Sequence, residues 1–252
     1  MSSEWISPRW PAPERVRAIS TTRHGGTSRP PYDTLNLAEH VGDEAVAVAA
    51  NRGQLVQALQ LPAMPAWLQQ VHGVRVVNAA GVTAPVAADA AYALEPGVVC
   101  AVLTADCLPV LLCDRGGRAV AAAHAGWRGL ATGVIEQTIA AMPVSGGELM
   151  AWLGPAISAN AYVVGEEVRD TFLSHDPAAV TAFRPAADGG WHADLYRLAR
   201  QRLQSQGITE VHGGGFCTWG DPLRFYSYRR DGVTGRMASL IWLQDICGSM
   251  RP

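Results

Sequence analysis

Lysine is missing from this chain: all 20 basic side chains are arginine, set against 22 acidic ones, for a formal charge of -2. Without a primary side-chain amine there is no Schiff-base nucleophile, no anchor for pyridoxal phosphate and no phosphate-loop lysine. The charges are nearly balanced and scattered, so no global field argues for nucleic acid as a partner. Long apolar runs are lacking too. The most apolar stretch, Val98 to Cys113, is interrupted by Asp106 and Pro109 and is too short to span a membrane as a helix. Met1 to Val16 carries no apolar run of signal-peptide length, and the expected location is the cytoplasm. Five cysteines, Cys100, Cys107, Cys113, Cys217 and Cys247, are an odd number without a secretory signal. That pattern reads as free thiols or a metal ligand, not as a disulfide framework.

What is present is a globular balance, 48% hydrophobic and 17% charged over 252 residues, which is enough to bury a substantial core. No repeat, low-complexity tract or long linker divides the chain, so one domain covering 1–252, with its core at about 17–243, is expected. Short β-like runs occur at Val16 to Ser20, Val74 to Val77, Val98 to Leu103, Val110 to Cys113, Ala119 to Ala123, Leu149 to Leu153 and Met237 to Leu243, each bounded by Gly, Pro or Asp. Helical spacing interleaves with them. Asp43 is placed to cap a helix through Val46, Ala49, Leu55 and Leu59. A second helix begins after Gly129 and uses Leu130, Val134, Ile135 and Ile139. A third carries Leu195, Leu198, Ala199 and Leu203 and stops at Gly207. Strands in clusters with helices between them predict an α+β (mixed α/β) fold with mixed sheets and flanking helices.

Chemistry-bearing residues gather where apolar runs end. Thr104-Ala105-Asp106-Cys107-Leu108-Pro109 separates two such runs, and Pro109 restricts the backbone before it, so Asp106 and Cys107 fall on an irregular link. His124-Ala125-Gly126-Trp127-Arg128-Gly129 follows another run. Its glycines permit close backbone approach, and the opening of the next helix, with Arg128, suits an anion. Trp67-Leu68-Gln69-Gln70-Val71-His72-Gly73 is a third strand-like run ending in histidine. The alternative for Cys107 is a small buried hydrophobe, and for His124 a hydrogen-bonded residue in a structural turn. Cys100 and Cys113, inside apolar runs, read as buried hydrophobes. Gaps of 35 and 17 residues separate His72, Cys107 and His124, which is wrong for a zinc finger but compatible with a catalytic zinc site assembled by the fold.

The strings Thr22-Arg23-His24-Gly25-Gly26, Leu35-Asn36-Leu37 with His40-Val41-Gly42-Asp43, and Gln70-Val71-His72-Gly73 occur in that order. They are followed by Thr104 to Pro109, His124 to Gly129, Leu153-Gly154-Pro155-Ala156-Ile157 and Ser227-Tyr228-Arg229-Arg230-Asp231-Gly232. Together, from about Arg17 to Leu243, they resemble the YfiH-type, or laccase-domain, family. Its members are named variously as polyphenol oxidase, purine nucleoside phosphorylase and peptidoglycan editing factor. The resemblance implies a compact α/β domain whose zinc is bound by His72, Cys107 and His124. It further suggests Arg23 and Arg128 as anion contacts and Gln70 as a polar pocket residue. Asp106 is suggested as a proton-transfer or ligand-orienting group. The alternatives are surface ion pairs, a strand hydrogen bond and a turn cap. Arg229 and Arg230 suit phosphate or, equally, pairing with Asp231. His24 and His40 receive no role, and His175, His192 and His212 are expected on loops or solvated faces.

Seven histidines with no His-x-His pair do not furnish the multi-metal cluster of a copper oxidase, so Zn2+ is expected, with Cu2+ able to occupy the same ligands. The activity implied is phosphorolysis of adenosine, inosine or methylthioadenosine, with adenosine deamination as a companion in which Asp106 moves the proton. Two alternatives remain: an amidohydrolase that removes a misincorporated amino acid from a muramyl cell-wall precursor, and a non-catalytic, metal-stabilised binding protein. The expected partners are a small purine nucleoside and phosphate, with neither nucleic acid nor membrane.

Overall fold

The computed structural model describes residues 5–187 and 189–245; Cys247 lies outside them. Two sheets carry the architecture. A three-stranded antiparallel sheet runs in the order Val16–Ser20, Met237–Leu243, Val99–Thr104. A six-stranded mixed sheet runs in the order Val211–Gly213, Leu149–Leu153, Leu108–Asp114, Val120–Ala125, Ala90–Ala93, Val76–Asn78, with parallel pairs only at its two edges. All seven strand-like runs of the sequence are strands, and the fold is α+β as expected.

Alternation explains why these strands read as unbroken apolar runs. Neighbouring side chains on a strand point to opposite faces, and here both faces are covered. From the three-stranded sheet, Cys100, Val102 and Ile241 pack against Leu111, Cys113, Val120 and Ala122 of the six-stranded sheet. The reverse side of the smaller sheet, Ala101, Leu103 and Leu240, packs on Leu35, Leu37 and Leu55 of the Ala45–Leu59 helix and the loop before it. The reverse side of the larger sheet, Leu108, Val110, Leu112, Ala121 and Ala123, packs on Leu130, Ile135, Phe172, Leu198 and Leu203 from four helices. The molecule is thus layered helix, sheet, sheet, helices.

Several local expectations are corrected. The first helix is preceded by Glu44, whose side chain makes no cap. Asp43 instead accepts hydrogen bonds from Ser28 Oγ (2.7 Å), Asn36 Nδ2 (2.9 Å) and the Glu44 N–H (2.8 Å), because buried polar partners claim its carboxylate. The helix expected after Gly129 begins at Trp127 and is split by Gly133, with φ +103, into Trp127–Thr132 and Val134–Ala141. The run ending at His72 is extended only over Leu68–Gln69. His192 and His212 lie half-buried in short strands, not on loops, while His175 is exposed at a helix end.

Candidate metal centre and cleft

Cys107 sits where the chain leaves the small sheet at Thr104 and enters the large one at Leu108. Its predecessor Asp106 has φ +92, a conformation that L-residues resist. Two short hydrogen bonds to its carboxylate hold it there, from Thr218 Oγ1 (2.6 Å) and the Arg229 N–H (2.6 Å). His124 shares the parity of Val120 and Ala122, so its side chain belongs to the face between the sheets, at the end where they separate. His72, with φ +60, lies on the loop leading out of Leu68–Gln69.

The fold brings the three together. Their candidate ligand atoms all lie within 4.8 Å of one another, with Cys107 Sγ 3.8 Å from His72 Nε2. Exposure grades across the set: His124 is buried, Cys107 half-buried and His72 exposed, so the group opens on solvent from one side. A side chain at Gly126 would collide with it, since a Cβ there would fall 2.9 Å from His72 Cδ2 and 3.0 Å from Cys107 Sγ.

One residue that the sequence reading overlooked organises this group. Asp89, fully buried, accepts the backbone N–H groups of Val71 (3.2 Å), His72 (2.9 Å) and Gly73 (2.7 Å), and His124 Nδ1–H donates to it at 2.8 Å. The Nδ1 bond leaves the lone pair of a neutral His124 on Nε2, the nitrogen available for a metal. Burial opposes ionisation of Asp89, yet the His124 and Gly73 hydrogen bonds hold it below the ordinary carboxylate range. Burial likewise pushes the Cys107 thiol up, but the two imidazoles outweigh it and bring the thiol down to about 6. Cys113, without such neighbours, is pushed up to about 12 by burial.

The group lies in a cleft of about 470 Å³ lined also by His40, Gln70, Leu103, Thr104, Ala105, Arg128, Tyr228 and Arg236. Of the residues expected there, Gln70 lines it but uses its amide as a strand would, donating to the Leu103 carbonyl and accepting the Leu103 N–H, both at 2.7 Å. Arg128 lines it, exposed and stacked on Trp127, with its guanidinium carbon 4.4 Å from the ring centre. Arg23 does not line it. That guanidinium bonds the Asp33 and Pro222 carbonyls, pairs with the Asp33 carboxylate at 3.2 Å and covers the Tyr226 ring. Asp106 also lies outside the lining, behind Cys107. Arg230 is fully engaged with Asp231, Thr218, Trp219 and Phe225, and Arg229 donates to the Val163 carbonyl.

The cleft residues that sequence reasoning missed are His40, Tyr228 and Arg236. A network explains the placement of Arg236. Asn51, fully buried in the first helix, donates to Ser28 Oγ and to the carbonyls of Thr34 and Asn36, and Asn36 accepts the Arg236 N–H at 3.0 Å. Asparagines in Leu35-Asn36-Leu37 and at position 51 were the available signal, since a buried amide demands partners.

The chain is 56% identical over 242 residues, 96% of its length, to a purine nucleoside phosphorylase of Pseudomonas aeruginosa, covering 99% of that protein. It is 52% identical to purine nucleoside phosphorylase YfiH of Escherichia coli over 96% and 99% of the two chains. Among solved structures it matches a Neisseria meningitidis protein with a TM-score of 0.93 at 53% identity, covering 96% of this chain and 99% of that one. YlmD from Geobacillus stearothermophilus superposes with a TM-score of 0.91 at 29% identity, covering 97% and 98%. Residues 17–244 match the family described as multi-copper polyphenol oxidoreductase laccase, and over that span the chain belongs to it.

Proposed function

We propose that this protein is a zinc-dependent purine nucleoside phosphorylase that also deaminates adenosine. The observation that carries the reading is the His72–Cys107–His124 group on an open cleft, in a chain whose relatives at 56% and 52% identity bear the phosphorylase name. The donor set fits a single ion: two imidazole nitrogens and a low-pKa thiolate are the donors Zn2+ takes, and their ligand atoms already lie within 4.8 Å of one another. Among the described residues no second such group occurs, which disfavours multi-copper oxidation in spite of the family's description. When bound, zinc would supply Lewis-acid polarisation of an oxygen at the open position.

The chain's own residues supply the rest. Asp89 fixes the His124 ring and the His72 loop, so the ligands need little reorganisation. Arg128 offers an anion contact. We give Asp106 a positioning role, holding the Cys107 turn through Thr218 and Arg229, in place of the proton transfer that the sequence suggested. The exposed ring of Tyr228 presents a face on which a purine can stack. The same ligands serve amide hydrolysis equally well; the names of the relatives favour nucleosides.

The test is reconstitution. Protein stripped of metal and reloaded with Zn2+ is expected to release base from inosine in a phosphate-dependent manner, with deamination of adenosine insensitive to phosphate. Phenol oxidation by copper-loaded protein without nucleoside turnover would overturn the reading.

A further inference from the structure

The cleft is lined by two arginines and no carboxylate, and its His40 is held below the ordinary imidazole value by burial and by Arg236 and Arg52. His40, Arg128 and Arg236 all face it, and none of its lining residues is an aspartate or glutamate. Arg236 is the anomaly. It is half-buried, and burial holds its guanidinium below the ordinary value. Its Nη1 donates to the Thr234 and Gly235 carbonyls at 2.8 and 3.0 Å, while Nε and Nη2 have no acceptor among the described residues. Its anionic neighbours, Cys107 first and then Asp106, act on it only through space, the Asp106 oxygens being taken by Thr218 and Arg229, and its guanidinium carbon lies 5.6 Å from the centre of the Tyr228 ring. Arg128 likewise pairs with no carboxylate among the described residues, and its guanidinium stacks on the Trp127 ring. A partly desolvated arginine with no hydrogen-bonded counterion is costly unless a ligand completes it. Guanidinium groups with free N–H donors are shaped for a multi-oxygen anion.

We propose that Arg236, with Arg128 and His40 lining the same cleft, forms the subsite that binds inorganic phosphate. The assignment rests on the phosphorolysis reading and moves the second anion contact from Arg23, which is consumed by Asp33 and Pro222, to Arg236. In the reaction a phosphate oxygen forms a bond to C1′ of the ribose as the bond from C1′ to the base nitrogen breaks. The electron pair leaves with the base, which takes up the proton that the phosphate carried. Arg236 and Arg128 hold the oxygens that do not attack, and the Asn36 acceptor fixes the Arg236 backbone.

The experiment is phosphate binding by titration calorimetry on metal-loaded protein, paired with steady-state kinetics on inosine. Arg236→Gln and Arg128→Gln should each weaken phosphate binding and raise KM for phosphate by about tenfold or more, the loss of a charge-assisted contact. KM for inosine should stay within about twofold. Arg197→Gln, on an exposed helix face outside the cleft, is the charge-matched control. Because Arg128 is exposed, its variant tests the subsite even if Arg236→Gln folds poorly. Unchanged phosphate affinity in a folded Arg236→Gln or Arg128→Gln, or acetate binding as tightly as phosphate, would overturn the assignment. Phosphate binding lost in the variants while wild type releases no base would uphold the subsite and sink the phosphorylase reading. Phosphorolysis with unaltered KM for phosphate in both variants would do the reverse.

Discussion

Asp89 and Asp114 are built alike at opposite ends of the strand pair Leu108–Asp114 and Val120–Ala125. Both are fully buried, and each carboxylate gathers three backbone N–H groups and one side-chain N–H. Asp114 takes Gly116, Arg118 and Ala119 with Arg118 Nε; Asp89 takes Val71, His72 and Gly73 with His124 Nδ1. Burial opposes ionisation of both, and the hydrogen bonds hold both below the ordinary carboxylate range. The difference lies in the fourth partner. An arginine reaching solvent closes a turn and adds no chemistry, whereas an imidazole passes the carboxylate's influence to Cys107. One structural device thus yields a rigid turn at one end and a ligand set at the other.

The largest expected contrast is in the neighbouring thiols. The imidazoles bring Cys107 down to about 6 while burial pushes Cys113 up to about 12, so at pH 7 the first is mainly thiolate and the second a thiol. After chelation, alkylation mapped by mass spectrometry should label Cys107 rapidly and leave Cys113 untouched until the protein unfolds. Equal labelling would break the comparison. Next, Asp89→Asn should lower zinc affinity by about 10–100-fold, the usual effect of removing a ligand's hydrogen-bond partner, whereas Asp114→Asn should leave it within about twofold. Competition with a chromogenic chelator measures both, and similar losses would show that both carboxylates act through general stability.

In thermal or urea melts Asp114→Asn should cost about 1–3 kcal/mol, because the buried Ala119 N–H and the part-buried Gly116 and Arg118 N–H groups lose their shared anion. A smaller effect concerns acid. The folded pKa of Asp114 is depressed, so its contribution is present above the unfolded carboxylate value and is lost as pH falls through the folded one. Between about pH 5 and pH 3 the wild type should therefore lose stability more steeply than Asp114→Asn. Parallel acid limbs would remove the electrostatic half of the comparison.

The core strands were legible because both faces of each sheet are buried, so hydrophobicity alone marks them. Ala90–Ala93 escaped notice although it lies inside the large sheet, because Ala-Ala-Tyr-Ala carries no β-branched signal and small residues there serve the packing. The three candidate ligands were legible as residue types at the ends of runs. Asp89 was not, since nothing in Ala87-Ala88-Asp89-Ala90 marks an aspartate that will face a loop 16 to 18 residues earlier and a strand 35 residues later.

The sequence by itself determined the apolar alternation, the glycine breaks, and the presence of His72, Cys107 and His124, because these depend on side-chain chemistry and short-range spacing. Only the tertiary structure decided that Arg23 belongs to a loop and Arg236 to the cleft. Both are arginines in polar segments, and what separates them is whether a carboxylate from elsewhere in the chain arrives to pair with them. Asp33 does so for Arg23, and none among the described residues does so for Arg236. Long-range pairing of charges is set by how the two sheets pack and diverge, a property of the assembled chain that no local pattern encodes.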